Sequence, residues 1–179
     1  MSSQGDKLIF AGPVGVGKTT AIAAISDIPP VSTDVAATDE TLARKETTTV
    51  AMDYGFFTLD DGQYIHLYGT PGQERFDFMW EILTEGGLGL ILMVDATRAD
   101  PIADMIFYLD RFAKFIDATG AVIGLNRNNN NGKDIYELVQ LTLEQRQQPL
   151  PVFEIDARNS EDVKLLIHAL LAMLESRGE

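Results

Sequence analysis

Eight residues, Gly12-Pro13-Val14-Gly15-Val16-Gly17-Lys18-Thr19, stand between an apolar run and a helical pattern. The run before them, Leu8-Ile9-Phe10-Ala11, suits a buried strand. The stretch after them, Thr20-Ala21-Ile22-Ala23-Ala24-Ile25, has the apolar spacing of a helix. The segment fits G-x-x-x-x-G-K-[ST], and strand, glycine loop and helix are the context in which that pattern becomes a phosphate site. Gly12, Gly15 and Gly17 allow the backbone to curl and aim its N–H groups at phosphate oxygens. A helix opening at Lys18 adds unpaired N–H groups and the positive end of its dipole. Lys18 is expected to face solvent and reach β- and γ-phosphates, and the Thr19 hydroxyl to bind Mg²⁺. An ordinary glycine-rich turn would not need the Lys-Thr pair.

Strands and helices alternate along most of the remaining chain. Thr48 to Leu59 is β-branched and aromatic, Asp60-Asp61-Gly62 is a turn, and Tyr64 to Tyr68 alternates like a returning strand. An antiparallel hairpin is expected there. A helix is expected from about Glu74 to Glu85, and Leu88 to Val94 is a continuous apolar run suited to a strand covered on both faces. Asp100-Pro101 opens a helix whose buried stripe includes Ile102, Met105, Leu109, Phe112 and Ile116, and Gly120 ends it. Strand Ala121–Leu125, helix Asp134–Arg146, strand Val152–Ile155 and a last helix with Ser160 as N-cap follow. The polar stretch Asp27–Lys45 reads as a long loop. This order predicts one domain over residues 1–179, α/β, with a mainly parallel, doubly wound, six-stranded sheet and helices on both faces. Ligands are expected at the carboxyl ends of the strands.

Composition narrows the partners. The formal net charge of −13 argues against nucleic acid or an anionic membrane surface. With no cysteine there is no disulfide framework, thiolate metal site or prenylation box. No signal core, myristoylation site or spanning run is visible, so no intrinsic membrane anchor and a cytoplasmic location are expected.

A second motif, Tyr68-Gly69-Thr70-Pro71-Gly72-Gln73-Glu74-Arg75-Phe76, resembles the Ras-like small GTPases, whose counterpart reads W-D-T-A-G-Q-E-R-F. The Gly-Thr-Pro-Gly-Gln form is similar to bacterial members related to the MglA-type polarity GTPases. The resemblance spans the chain, because the element order also fits. It implies a P-loop fold that binds GTP and GDP with Mg²⁺ and slowly hydrolyses GTP. It implies that Gln73 orients the attacking water and that the Gly72 backbone N–H senses the γ-phosphate. It places Thr49, with Thr47 and Thr48 as rivals, on Mg²⁺ and the γ-phosphate. Asp27–Thr49 and Gly69–Glu85 become two switch segments. Arg44, in the first segment, is a candidate arginine finger in cis, with a solvated loop charge as the competing reading. A roadblock-type activator protein is implied as a partner.

Two departures carry expectations of their own. The aspartate that holds Mg²⁺ in the family is Gly69 here, which leaves Thr19, phosphates and water; Asp95, ending the next strand, is near enough in topology to help, with a helix-leading turn residue as the favoured reading. The base-reading Asn-Lys-x-Asp is Asn126-Arg127-Asn128-Asn129. Asn126 can brace the phosphate loop, and the Arg127 stem can cover one face of the base. An amide at Asn129 cannot accept from both guanine N1–H and the 2-amino group, which points to xanthine or to low selectivity. Asp156-Ala157-Arg158 resembles the family's Ser-Ala-Lys, where the alanine N–H meets base O6. With Gly12 to Thr19, Thr20 completes the expected phosphate contacts. Two readings compete with a GTP switch: a nucleotide-bound interaction module with little turnover and altered base preference, and a P-loop kinase for a small metabolite.

Overall fold

The structure, a computed structural model, describes residues 6–36, 49–72, 77–129 and 134–178. Its strands are β1 (Asp6–Ala11), β2 (Val31–Ala36), β3 (Thr49–Thr58), β4 (Tyr64–Gly69), β5 (Gly89–Asp95), β6 (Ala121–Asn126) and β7 (Val152–Ile155). Its helices are α1 (Lys18–Ile25), α2 (Asp77–Thr84), α3 (Pro101–Arg111), α4 (Ala113–Ala118), α5 (Ile135–Gln145) and α6 (Ser160–Arg177). The sheet runs β2-β3-β4-β1-β5-β6-β7. From β4 through β7 neighbours are parallel, whereas β3 is antiparallel to both β2 and β4. The α/β architecture is the expected one. The strand count among the described residues is seven rather than six.

The additional strand comes from the stretch read as loop. Val31 to Ala36 pairs with β3 from Val31↔Tyr54 to Ala36↔Thr49. Its Ser and Asp residues disguise it, and an edge strand, with one neighbour in the sheet, tolerates polar residues. Two smaller differences concern helix ends. The helix after Pro101 is interrupted at Phe112, so that α3 and α4 are separate. Asn159, not Ser160, caps α6: its side chain accepts from the Glu161 and Asp162 N–H groups. Asp100 does cap α3, accepting from Ala103 N–H.

Alternation along β1 and β5 builds two core layers. Ile9, Leu90 and Leu92 face one layer with Trp80 of α2, Met105 and Leu109 of α3 and Val139 of α5. Leu8, Phe10, Ile91 and Met93 face the other with Ile22 of α1 and Leu166 and Leu170 of α6. Both faces of β5 are therefore covered, which is why its sequence is apolar without alternation. The carboxyl ends of β1, β4, β5, β6 and β7 open onto one rim. Among the described residues, no helix is long and apolar enough to cross a membrane.

Candidate functional site

The loop after β1 has the backbone its glycines foretell. Gly12, Gly15 and Gly17 have φ of 149°, 79° and 108°, which strain any residue with a Cβ. Val16 N–H closes the turn on Pro13 O at 3.2 Å. Gly17 caps α1 without any side-chain bond, and α1 has no acidic residue in its first turn. The first N–H groups of that helix thus remain for an anion. Thr20 lies exposed in this first turn.

Lys18 is not solvent-facing as expected. It is 7% exposed, and its ammonium donates to Gly12 O at 2.5 Å and Pro13 O at 3.0 Å. The curl of the loop brings these carbonyls over the first helical turn, so an unoccupied ammonium is satisfied by folding back. Burial lowers its pKa to about 8, against the opposing pull of the Asp53 charge.

Asp53 is the residue that sequence reasoning missed. It lies on β3 directly opposite Gly69 of β4, and the Thr19 hydroxyl donates to its Oδ2. A Cβ on Gly69 would sit 3.3 Å from Asp53 Cβ and 3.4 Å from Oδ2. The bare backbone at 69 makes room for a carboxylate arriving from the neighbouring strand. The aspartate missing from β4 has a counterpart one strand over, and the Thr19 hydroxyl with the Asp53 carboxylate is an oxygen donor set of the kind hard divalent cations take. Among the described residues, no cluster of three or more His, Cys, Asp or Glu gathers to hold a metal, so phosphate and water oxygens would have to complete such a shell. Asp95 is not available for this role. Its carboxylate accepts from Thr97 N–H at 2.9 Å, Thr97 Oγ1 at 2.6 Å and Arg127 Nη1 at 2.5 Å. Although desolvation opposes it, these bonds hold Asp95 below its ordinary pKa.

The motif after β4 meets the phosphate loop by contact. A Cβ on Gly72 would lie 2.6 Å from Val14 N and 2.9 Å from Pro13 C, so only glycine permits this approach. The core holds the segment from behind. Trp80 Nε1 donates to Pro71 O at 3.2 Å, and Tyr108 OH donates to Gly72 O at 3.4 Å. Trp80 stacks on Tyr108 and Phe112, with ring centroids 5.2 and 5.1 Å away. Thr70 is buried, and among the described residues its hydroxyl has no partner. Val14 is 59% exposed at the mouth of the loop. Arg44, Thr47, Thr48 and Gln73 lie outside the described residues, while the backbone of Thr49 opens β3.

At the other end, a cavity of about 510 Å³ opens between the loops after β6 and β7, with Gly17 and Thr20 in its wall. Asn126 is buried and ties three loops together: Nδ2 donates to Val16 O at 3.0 Å, and Oδ1 accepts from Ala157 N–H at 3.3 Å. Arg127 has a φ of 60°, and its guanidinium bonds Gly15 O at 2.9 Å besides Asp95. The structure therefore shows that guanidinium anchoring the phosphate loop. Arg158 folds onto Asp156, with Nε and Nη2 at 2.9 and 2.7 Å from its two oxygens. Asn129 is exposed beside the cavity.

Residues 29–118 match the model of a family described as "Conserved hypothetical ATP binding protein". The chain belongs to that family. The matched half holds Asp53, the Gly69–Gly72 turn, Trp80 and Asp95, and begins beyond the phosphate loop. An uncharacterized protein of Methanocaldococcus jannaschii, MJ1339, is 44% identical over 50 residues, which are 28% of this chain and 32% of that protein. The match thus spans about a third of this relative's length.

Proposed function

We propose that the protein is a nucleotide-dependent switch of the Ras-like, MglA-related type, which binds GTP with Mg²⁺ and slowly hydrolyses it to GDP and phosphate. The observation that carries this reading is the seat of Gly72 on the Val14 amide. A phosphate-binding loop becomes a switch when another segment senses what the loop holds. Gly72 touches that loop on one side and is tethered to α3 on the other.

The chemistry follows from the residues already placed. On binding, the Lys18 ammonium exchanges the carbonyls of Gly12 and Pro13 for phosphate oxygens, and the α1 N–H groups take others. Thr19 and Asp53 would hold the ion, joined by Thr49 from the first switch. A magnesium ion held by these residues would supply positive charge against the phosphates. Gln73 orients the water that attacks the γ-phosphorus, the bond to the β-γ bridging oxygen breaks, and GDP leaves after phosphate. Arg44 is a further candidate for stabilising that charge, and a roadblock-type partner is the proposed activator. The family's description points to ATP, whereas the resemblance of Asp156-Ala157-Arg158 to Ser-Ala-Lys implies guanine, with Ala157 N–H exchanging Asn126 Oδ1 for base O6. Mass analysis of nucleotide retained through gentle purification, followed by single-turnover phosphate release, tests the reading. Release of phosphate from GTP that falls in Gln73→Ala supports it. Absence of any bound or bindable nucleotide overturns it.

A nucleotide-bound interaction module with little turnover is the second reading, and exposed Val14 favours it. Its branched side chain stands at the loop mouth, where it would crowd Gln73 and any incoming arginine. Bound GTP that stays intact through the single-turnover assay, with Gln73→Ala no different, selects this reading.

A further inference from the structure

The base end of the site contains a carboxylate that the sequence motif does not. Glu154 stands on β7 opposite Leu125 of β6 and lines the cavity. Its Oε1 accepts from Asn128 Nδ2 at 2.5 Å. Asn128 belongs to the base-reading loop itself, so this bond ties the carboxylate to the residues expected to meet the base. Asp156, the other carboxylate in that wall, is closed by the fork of Arg158. Among the described residues, Glu154 has no cation against it, and Asn128 is its hydrogen-bond partner.

We propose that Glu154 is the specificity residue for guanine, supplying the acceptor that Asn129 lacks. The inference rests on the reading that a purine nucleotide occupies this cavity. Guanine presents two adjacent donors, N1–H and the 2-amino group, beside the O6 acceptor. The Asn129 amide oxygen takes N1–H and a Glu154 oxygen the 2-amino group. Adenine would offer the carboxylate only its C2–H, with the N1 lone pair toward Asn129, and xanthine would turn its 2-carbonyl toward the carboxylate. Both leave the Glu154 carboxylate without a donor, and a site built to hydrogen-bond a substrate N–H rejects the analogue that lacks it. The xanthine preference or low selectivity expected from Asn129 alone would thereby give way to a preference for guanine.

The test is calorimetric titration of nucleotide-free protein with GDP, IDP, XDP and ADP in Mg²⁺. IDP differs from GDP only in lacking the 2-amino group. A hydrogen bond to a charged group leads to a wild-type preference for GDP over IDP of roughly 10–100-fold. Glu154→Gln should shrink that ratio about tenfold or more, mainly through weaker GDP binding, and should improve XDP relative to GDP. Glu154→Asp, which keeps the charge and draws it back, should give an intermediate ratio. Glu154 is exposed, so both variants should melt like the wild type. A GDP-to-IDP ratio unchanged in Glu154→Gln, or a wild type that prefers ADP or XDP to GDP, overturns the role of Glu154 and leaves nucleotide binding standing. A wild type that binds none of the four overturns both readings together.

Discussion

The two ends of the site are built differently. At the phosphate end the contacts are backbone and buried groups: curled glycines, the first turn of α1, a Lys18 ammonium held by two carbonyls, and Gly72 against the loop. At the proposed base end the groups lining the cavity are exposed side chains, Asn129, Glu154 and Arg158, beside buried strands. A backbone site is hard to alter without altering the fold. A side-chain site can be rewritten one residue at a time. On the proposed reading, phosphate binding is therefore the stable property of this chain, and base preference is the adjustable one.

Four predictions can break that contrast or sharpen it. The largest effect is at Lys18. Charge-assisted bonds to phosphate are strong, so Lys18→Ala should weaken GTP binding by about 100-fold or more in calorimetry, with the melting curve still cooperative. Equal affinity would remove the phosphate end altogether. Next is Asp53→Asn. It should weaken nucleotide affinity in Mg²⁺ by roughly 10–100-fold and leave affinity in EDTA nearly unchanged. If the loss is the same with and without Mg²⁺, Asp53 is a structural partner of Thr19 and not an ion holder.

Val14→Gly should raise single-turnover hydrolysis about tenfold, a small part of the 10³–10⁵ range that charge stabilisation commands, with affinity nearly unchanged. A rate at or below wild type would mean that Val14 does not limit access to the γ-phosphate. The smallest effect is a pH dependence. Burial holds free Lys18 at a pKa of about 8, and phosphate oxygens beside it raise that value on binding. Below pH 8 the ammonium is charged both free and bound, and affinity is flat. Above pH 8 binding takes up a proton, so affinity falls as pH rises, by about threefold between pH 7.5 and 8.5. Titrations in two buffers of different ionisation enthalpy measure the uptake directly, and a wild-type affinity flat to pH 9.5 would unlink Lys18 from binding.

Much of the fold is legible along the chain. The apolar run of β5, the stripe of α3 and the Asp60–Gly62 turn all appear where local pattern places them. So does the phosphate loop, because its requirement is local: eight consecutive residues contain the glycines, the lysine and the hydroxyl. The strand β2 was not legible, since Ser32 and Asp34 look like loop until β3 offers its edge. Neither were the bonds from Trp80 and Tyr108 to Pro71 and Gly72, which join residues 9 and 36 positions apart.

Local order along the chain determined the α/β class, the phosphate loop and the glycine turn after β4. Periodicity and glycine placement act within a few residues, so a linear reading captures them. Only the tertiary structure decided which carboxylate stands near which loop. Gly69 read alone is a lost metal ligand, and Asn129 read alone is a mismatched base reader. The pairing of β3 with β4 sets Asp53 opposite Gly69, and the approach of β7 to β6 sets Glu154 beside Asn128. Strand register is a property of two segments at once, fixed by the hydrogen-bond ladder and the packing of both, and neither segment spells it out by itself.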